Sequence, residues 1–238
     1  MHPTTTPGPI ALVGSGEYLP AMLAVEAGLI AGRAPRYVQL ATAAVPDGPA
    51  VVERWHRLGA QQADRLGVEV VQLAVNDRRD ANTDAIAEQV AGAGLIYLSG
   101  GHPGFLADTL RDTQVWHAIV DAWRAGAALA GCSAGAMALT DWVPSLRHPR
   151  EGATPGLALL SNLRVIPHFD AFAAKIPDLI TRFVLPQDEG VMLVGIDEET
   201  ALVGGPEEWQ VEGNQSVWRL DSNGRQEFRV GSTLRTRP

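Results

Sequence analysis

Short runs of apolar and β-branched residues recur through the first half of the chain: PIALVGSG, RYVQLATA, VEVVQLAV, AGLIYLSGG and AALAGCSAG. Between them lie longer stretches with polar and apolar residues at helical spacing, such as VVERWHRLGAQQADRLG and DAIAEQVAGA. Buried strands alternating with amphipathic helices predict an α/β fold, with a parallel sheet covered by helices on both faces. Several of the predicted strands end in small or turn-forming residues: Gly14-Ser-Gly16, Ser99-Gly-Gly101 and Gly131-Cys-Ser133. In such sheets the carboxyl ends of the strands form the ligand crevice, so these three loops are expected on one edge.

The pattern changes towards the C-terminus. After the apolar runs LRVIPHFD and VMLVGIDEETALVG comes WQVEGNQSVWRLDSNGRQEFRV, where alternating residues flank Gly213-Asn214 and Asn223-Gly224. Such turn dipeptides predict antiparallel hairpins, so residues 208–238 read as a terminal β-hairpin extension. No interior linker divides the chain, and 238 residues suffice for one substantial core. We expect a flexible leader over 1–8 and a single α/β domain over 9–238.

Composition narrows the partners. A net charge of −8 argues against nucleic acid, whose binding relies on Lys and Arg neutralising phosphates. No apolar run reaches the roughly 18 to 20 residues a membrane span needs. The opening MHPTTTPGP has neither the basic start nor the apolar core of a secretory signal, so a cytoplasmic location is expected. One cysteine excludes an internal disulfide and any multi-thiolate metal site, and the six histidines show no close ligand spacing. We therefore expect no metal and no cofactor. The terminal hairpins offer a surface on which a homodimer could form.

The chemistry centres on AGCSAGAMAL. Gly131, Ser133 and Gly135 give the form G-x-S-x-G after an apolar run and before a helical one, as in a sharp strand-to-helix turn that exposes a nucleophile. Ser133 occupies the centre of that turn. Cys132, one residue earlier, is expected to point back into the sheet as a buried thiol. The amide of Ala134 and that of Gly101 could stabilise an oxyanion. Downstream, His148 lies in a polar loop, whereas His168 ends the apolar run LRVIPHFD and is the better base. A carboxylate to orient it could come from Asp197, Glu198 or Glu199, whose alternating faces the pattern does not decide between. For each of these residues a purely structural role also stands open.

Four segments in order resemble the serine peptidases that include peptidase E and cyanophycinase. They are GCSAGAMAL for the nucleophile, LSGGHPGFL for the strand-end double glycine, IPHFD for the histidine and GIDEETAL for the acid. The resemblance runs from the first strand to about Gly204. It implies a flavodoxin-like three-layer sandwich, related to class I glutamine amidotransferase domains, with a mainly parallel sheet. It also implies a small-peptide substrate, with Ser133 as nucleophile, His168 as base and then acid, Glu198 as its orienting carboxylate, and Gly101 and Ala134 as oxyanion donors. His102, Phe169 and Arg150 would contact substrate. Two departures bear on specificity. His102 stands where peptidase E-like enzymes have asparagine, and the closely spaced arginines of cyanophycinases are absent before Arg182. A cation for an acidic substrate group could come from Arg147, Arg150, Arg164, Lys175 or Arg182. An amidotransferase-like activity through Cys132, or a non-catalytic homologue, are the competing readings.

Overall fold

A computed structural model describes residues 6–144, 153–173, 190–222 and 224–236. In chain order the elements are β1 (Ile10–Val13), α1 (Leu23–Ile30), β2 (Arg36–Leu40), α2 (Pro49–Leu66), β3 (Glu69–Leu73), α3 (Asp84–Ala87), β4 (Leu95–Leu98), α4 (Pro103–Leu110), α5 (Gln114–Arg124), β5 (Ala128–Cys132) and α6 (Ala134–Ala138). There follow β6 (Trp142–Pro144), β7 (Ala153–Pro155), β8 (Leu163–Ile166), α7 (Phe169–Ala173), β9 (Met192–Ile196), β10 (Thr200–Gly204), β11 (Glu208–Gly213), β12 (Ser216–Asp221), β13 (Gly224–Arg229) and β14 (Thr233–Arg235).

The apolar runs of the first half form the parallel part of an eight-stranded sheet, ordered β14-β11-β10-β1-β5-β4-β2-β3. β1, β4 and β5 are buried along their whole length, as the continuous apolar text requires of strands covered on both faces. One face packs Val25 and Leu29 of α1 and Ala63 of α2 against Ala11, Tyr37, Tyr97 and Ala130. The other packs Leu106, Ile119, Ala136 and their neighbours from α4, α5 and α6 against Leu12, Val38, Ile96 and Leu129. The fold is thus a flavodoxin-like three-layer α/β structure. Helices after β1 and β2 lie on one face and those after β4 and β5 on the other, so the carboxyl ends of these strands open a crevice. Strand register aligns those ends: Val13 is opposite Cys132, Leu98 opposite Gly131, and Leu40 opposite Leu98.

The second half departs from the expected pattern in two ways. The run VMLVGIDEETALVG is not one strand: β9 belongs to a separate four-stranded sheet, β13-β12-β9-β8, while β10 pairs antiparallel with β1 in the central sheet. Three consecutive acids, Asp197 to Glu199, occupy the crossing. The Gly213-Asn214 turn likewise passes the chain from β11 in the central sheet to β12 in the second sheet, so it closes no hairpin. β12 and β13 do pair as the expected hairpin, with Asp221 opposite Gly224; Asn223 lies outside the described residues. Residues 208–236 are therefore divided between both sheets and complete each of them. The alternating pattern reports one buried and one exposed face, but it cannot say which neighbour a strand pairs with.

Among the described residues no helix is long and apolar enough to cross a membrane. One buried carboxyl has a consequence for stability. Glu26 on α1 is 1% exposed, accepts a 3.0 Å hydrogen bond from the Tyr37 hydroxyl, and has no partner at its other oxygen among the described residues. Burial pushes its carboxyl from 4.5 up to about 7, partly offset by the Tyr37 hydrogen bond and by the nearby Gln62 side chain and Tyr18 backbone. Between those values the folded protein keeps a proton that the unfolded chain has released. Stability from this group is therefore fully present below the unfolded value and declines as pH rises to about 7, by roughly 3 kcal/mol in total. Glu26→Gln is expected to flatten that decline, which urea unfolding of both proteins at about pH 5 and about pH 8 would measure.

Candidate active site

Ser133 sits where β5 ends and α6 begins, with φ +49° and ψ −104°. Its amide continues the strand by donating to the Val13 carbonyl at 2.9 Å, while its carbonyl accepts from the Met137 amide of the helix at 3.1 Å. A non-glycine residue in this region costs about 1–3 kcal/mol, which the packing on both sides must overcome. Small neighbours make the turn possible. A Cβ on Gly135 would lie 2.3 Å from the Leu98 carbonyl oxygen, and one on Gly131 would lie 2.6 Å from the Gly135 backbone. The helix thus rests directly on the strands with no side chain between.

Two partners come from the second half of the chain. His168 follows β8, and its Nε2 lies 3.0 Å from Ser133 Oγ. Its Nδ1 lies 2.8 Å from Glu198 Oε1. The hydrogen bonds are consistent if Nδ1–H donates to Glu198 and Nε2 accepts from the serine hydroxyl. His168 also has a positive φ, +50°. Glu198 is held through its backbone: its amide donates to Asp170 Oδ1 at 3.0 Å, and its carbonyl accepts from Thr200 Oγ1 and Gln215 Nε2, both at 3.0 Å. The other two acids turn elsewhere. Asp197 is buried and accepts from the Trp218 indole N–H at 3.0 Å and the Ser216 amide at 3.2 Å, and burial raises its carboxyl above the ordinary value. Glu199 accepts from the Asn214 side chain at 2.9 Å. The crossing between the two sheets therefore presents only Glu198 to the histidine.

The loop after β4 lies beside the serine. A Cβ on Gly100 would be 3.5 Å from Ser133 Cβ, and the Gly100 amide donates to Glu17 Oε1 at 2.9 Å. The Gly101 amide takes no protein partner among the described residues. Ala134, as the first residue of α6, has an amide beyond the reach of any intrahelical carbonyl. Both are available to a developing oxyanion. Cys132 is fully buried on the α1 and α2 face, and its thiol donates to Glu17 Oε2 at 2.9 Å. Burial, and then the Glu17 carboxylate, push that thiol well up, so it is held away from the thiolate state that nucleophilic attack requires.

The remaining expected contacts fare differently. His102 Nε2 pairs with Asp47 Oδ1 at 2.9 Å on the far side of Gly101. Phe169 is 4% exposed: its ring fills the space above Gly195, near Trp218 and beneath the Arg225 guanidinium. The helix it begins turns this ring, expected to contact substrate, towards β9. Arg164 is buried against the Trp142 ring. Arg147, His148, Arg150, Lys175 and Arg182 lie outside the described residues. Three polar residues that hold the site were not anticipated. Glu17 directly follows the singled-out Gly14-Ser-Gly16, and Asp170 ends the quoted IPHFD, so both stood in view. Gln215 carries no local signal. No group of three or more His, Cys, Asp or Glu side chains among the described residues could hold a metal ion.

A strained serine at a strand-to-helix turn of an α/β sheet, within hydrogen-bond reach of a histidine that a carboxylate orients, defines the class of serine hydrolases. Residues 22–211 match peptidase family S51, and the chain belongs to that family and is a serine peptidase. A crystal structure of a peptidase from an acI-B1 Actinobacterium is similar at 43% identity and a TM-score of 0.88, over 98% of both chains. A crystal structure of a putative peptidase E protein from Listeria monocytogenes EGD-e shares the fold at 17% identity and a TM-score of 0.64, over 88% of this chain and 100% of that one. None of the curated proteins matches.

The close contact beneath the turn can be tested directly. Gly135→Ala would press a methyl against the Leu98 carbonyl, and is expected to destabilise the protein by roughly 1–3 kcal/mol in urea unfolding.

Proposed function

We propose that the chain hydrolyses an amide bond of small peptides, dipeptides with an N-terminal aspartyl residue among them, through Ser133, His168 and Glu198. The observation that carries this reading is the continuous hydrogen-bonded chain Ser133 Oγ to His168 Nε2 and His168 Nδ1 to Glu198 Oε1, at 3.0 and 2.8 Å. His168 takes the serine proton as Oγ attacks the substrate carbonyl carbon, and the imidazolium is stabilised by Glu198. The Gly101 and Ala134 amides receive the oxyanion. As the C–N bond breaks, the imidazolium returns its proton to the leaving amine, and an acyl ester is left on Ser133. His168 then deprotonates a water that hydrolyses that ester and frees the serine.

The aspartyl preference draws on the resemblance to peptidase E-like sequences and on the shared fold with a putative peptidase E protein. A cyanophycinase-like exopeptidase is the competing reading within the same family, and a peptide panel with Asp, Glu and neutral first residues tests the aspartyl preference. An acyl transfer through Cys132 is disfavoured by the burial of that thiol and its hydrogen bond to Glu17.

A fluorophosphonate probe is expected to label wild-type protein on Ser133, located by peptide mass spectrometry. Ser133→Ala or His168→Ala should lower kcat by about four orders of magnitude or more, and Glu198→Gln by about two to four, while Cys132→Ala should keep at least about a tenth of the wild-type turnover. Full peptide hydrolysis by Ser133→Ala, or its loss in Cys132→Ala alone, would reject the assignment.

A further inference from the structure

Glu17 is an acid where the mechanism above needs none. It is 7% exposed, it follows the loop after β1, and it reaches neither the histidine nor the serine by any hydrogen bond among the described residues. Its two oxygens face two donors. Oε1 accepts from the Gly100 amide and Oε2 from the Cys132 thiol, both at 2.9 Å. A carboxylate only accepts, so each oxygen is matched to a group that only it can satisfy there.

These two donors lie on neighbouring strand ends. Gly100 directly precedes Gly101, and Cys132 directly precedes Ser133, so a single side chain ties the oxyanion loop of β4 to the nucleophile turn of β5. The tie is close. A Cβ on Gly100 would lie 2.7 Å from Glu17 Oε1, so a larger residue there would have to displace the carboxylate. On the other side of Gly101 the His102 amide donates to the Ala43 carbonyl at 2.7 Å. Gly101 itself has φ +142°, and a Cβ there would lie 2.3 Å from that same carbonyl oxygen. The peptide carrying the Gly101 N–H is thus anchored before and after, while its own donor stays open.

We propose that Glu17 is a positioning residue of the oxyanion site, aligning the Gly101 amide against the carbonyl that Ser133 attacks. It touches no substrate. Its effect comes through the orientation of a donor fixed before the reaction begins, which is the condition under which such a donor contributes most. The inference rests on the assignment of Ser133 and Gly101 made above. It goes beyond that assignment by giving the buried acid a role in the chemical step. It also gives the thiol beside the nucleophile a role: Cys132 serves as the second donor that holds the carboxylate in place.

The test compares Glu17→Gln with Glu17→Met, in full-length protein and with the best substrate of the peptide panel. Glutamine keeps an oxygen that can accept from Gly100, whereas methionine keeps the bulk and removes the acceptor. Glu17→Met is expected to lower kcat about 100-fold with KM within about threefold, and to slow fluorophosphonate labelling of Ser133 in parallel. Glu17→Gln should restore kcat to within about fivefold of wild type. Equal kcat in the two variants, a loss confined to KM, or a methionine variant that fails to fold beside a normal glutamine variant would each overturn the proposal. Failure of the underlying assignment looks different, because wild-type Ser133 would then go unlabelled.

Discussion

Backbone-to-backbone contact beneath α6 is the constraint on which the site depends. Gly131 and Gly135 let the first turn of the helix sit on β5 and against the Leu98 carbonyl of β4, with no side chain to hold them apart. That contact sets where β5 must end, and it forces Ser133 into a backbone region few residues adopt. It also points the start of α6, with its free amide at Ala134, into the crevice at the strand ends. The proposed nucleophile and one proposed oxyanion donor therefore depend on the same packing contact.

The second requirement is that two sheets meet at this point. The central sheet supplies the serine, and the four-stranded sheet supplies His168 from the end of β8. Glu198 belongs to neither strand of its own run; it sits where the chain leaves β9 for β10. Its neighbours secure the crossing: Asp197 bonds into β12 through Trp218, and the Glu199 amide donates to the Ser15 carbonyl after β1. Three consecutive acids that would be costly in a buried strand are each given a different partner. Only the middle one is left to face the imidazole.

Buried carboxyls recur in this protein, and their surroundings separate their roles. Glu26 lies among apolar and tyrosine side chains, so burial dominates and its proton is retained up to about pH 7. Glu17 meets two donors and links two strand ends.

Much of the parallel sheet was legible in the text, because strands buried on both faces must be continuously apolar and the helices between them must be amphipathic. The turn at Ser133 was also legible, since glycine spacing around a central serine reflects a local steric need. Cys132 followed from register alone. What the text could not carry were relations between distant segments: the division of VMLVGIDEETALVG between two sheets, the use of the Gly213-Asn214 turn as a crossing, and the burial of Phe169 over Gly195. Nor could it choose Glu198 from three adjacent acids without the resemblance to known peptidases. Local pattern records which face of a strand is buried, whereas partners such as Glu17 for Gly100 and Asp170 for Glu198 are selected only when packing brings their strands together.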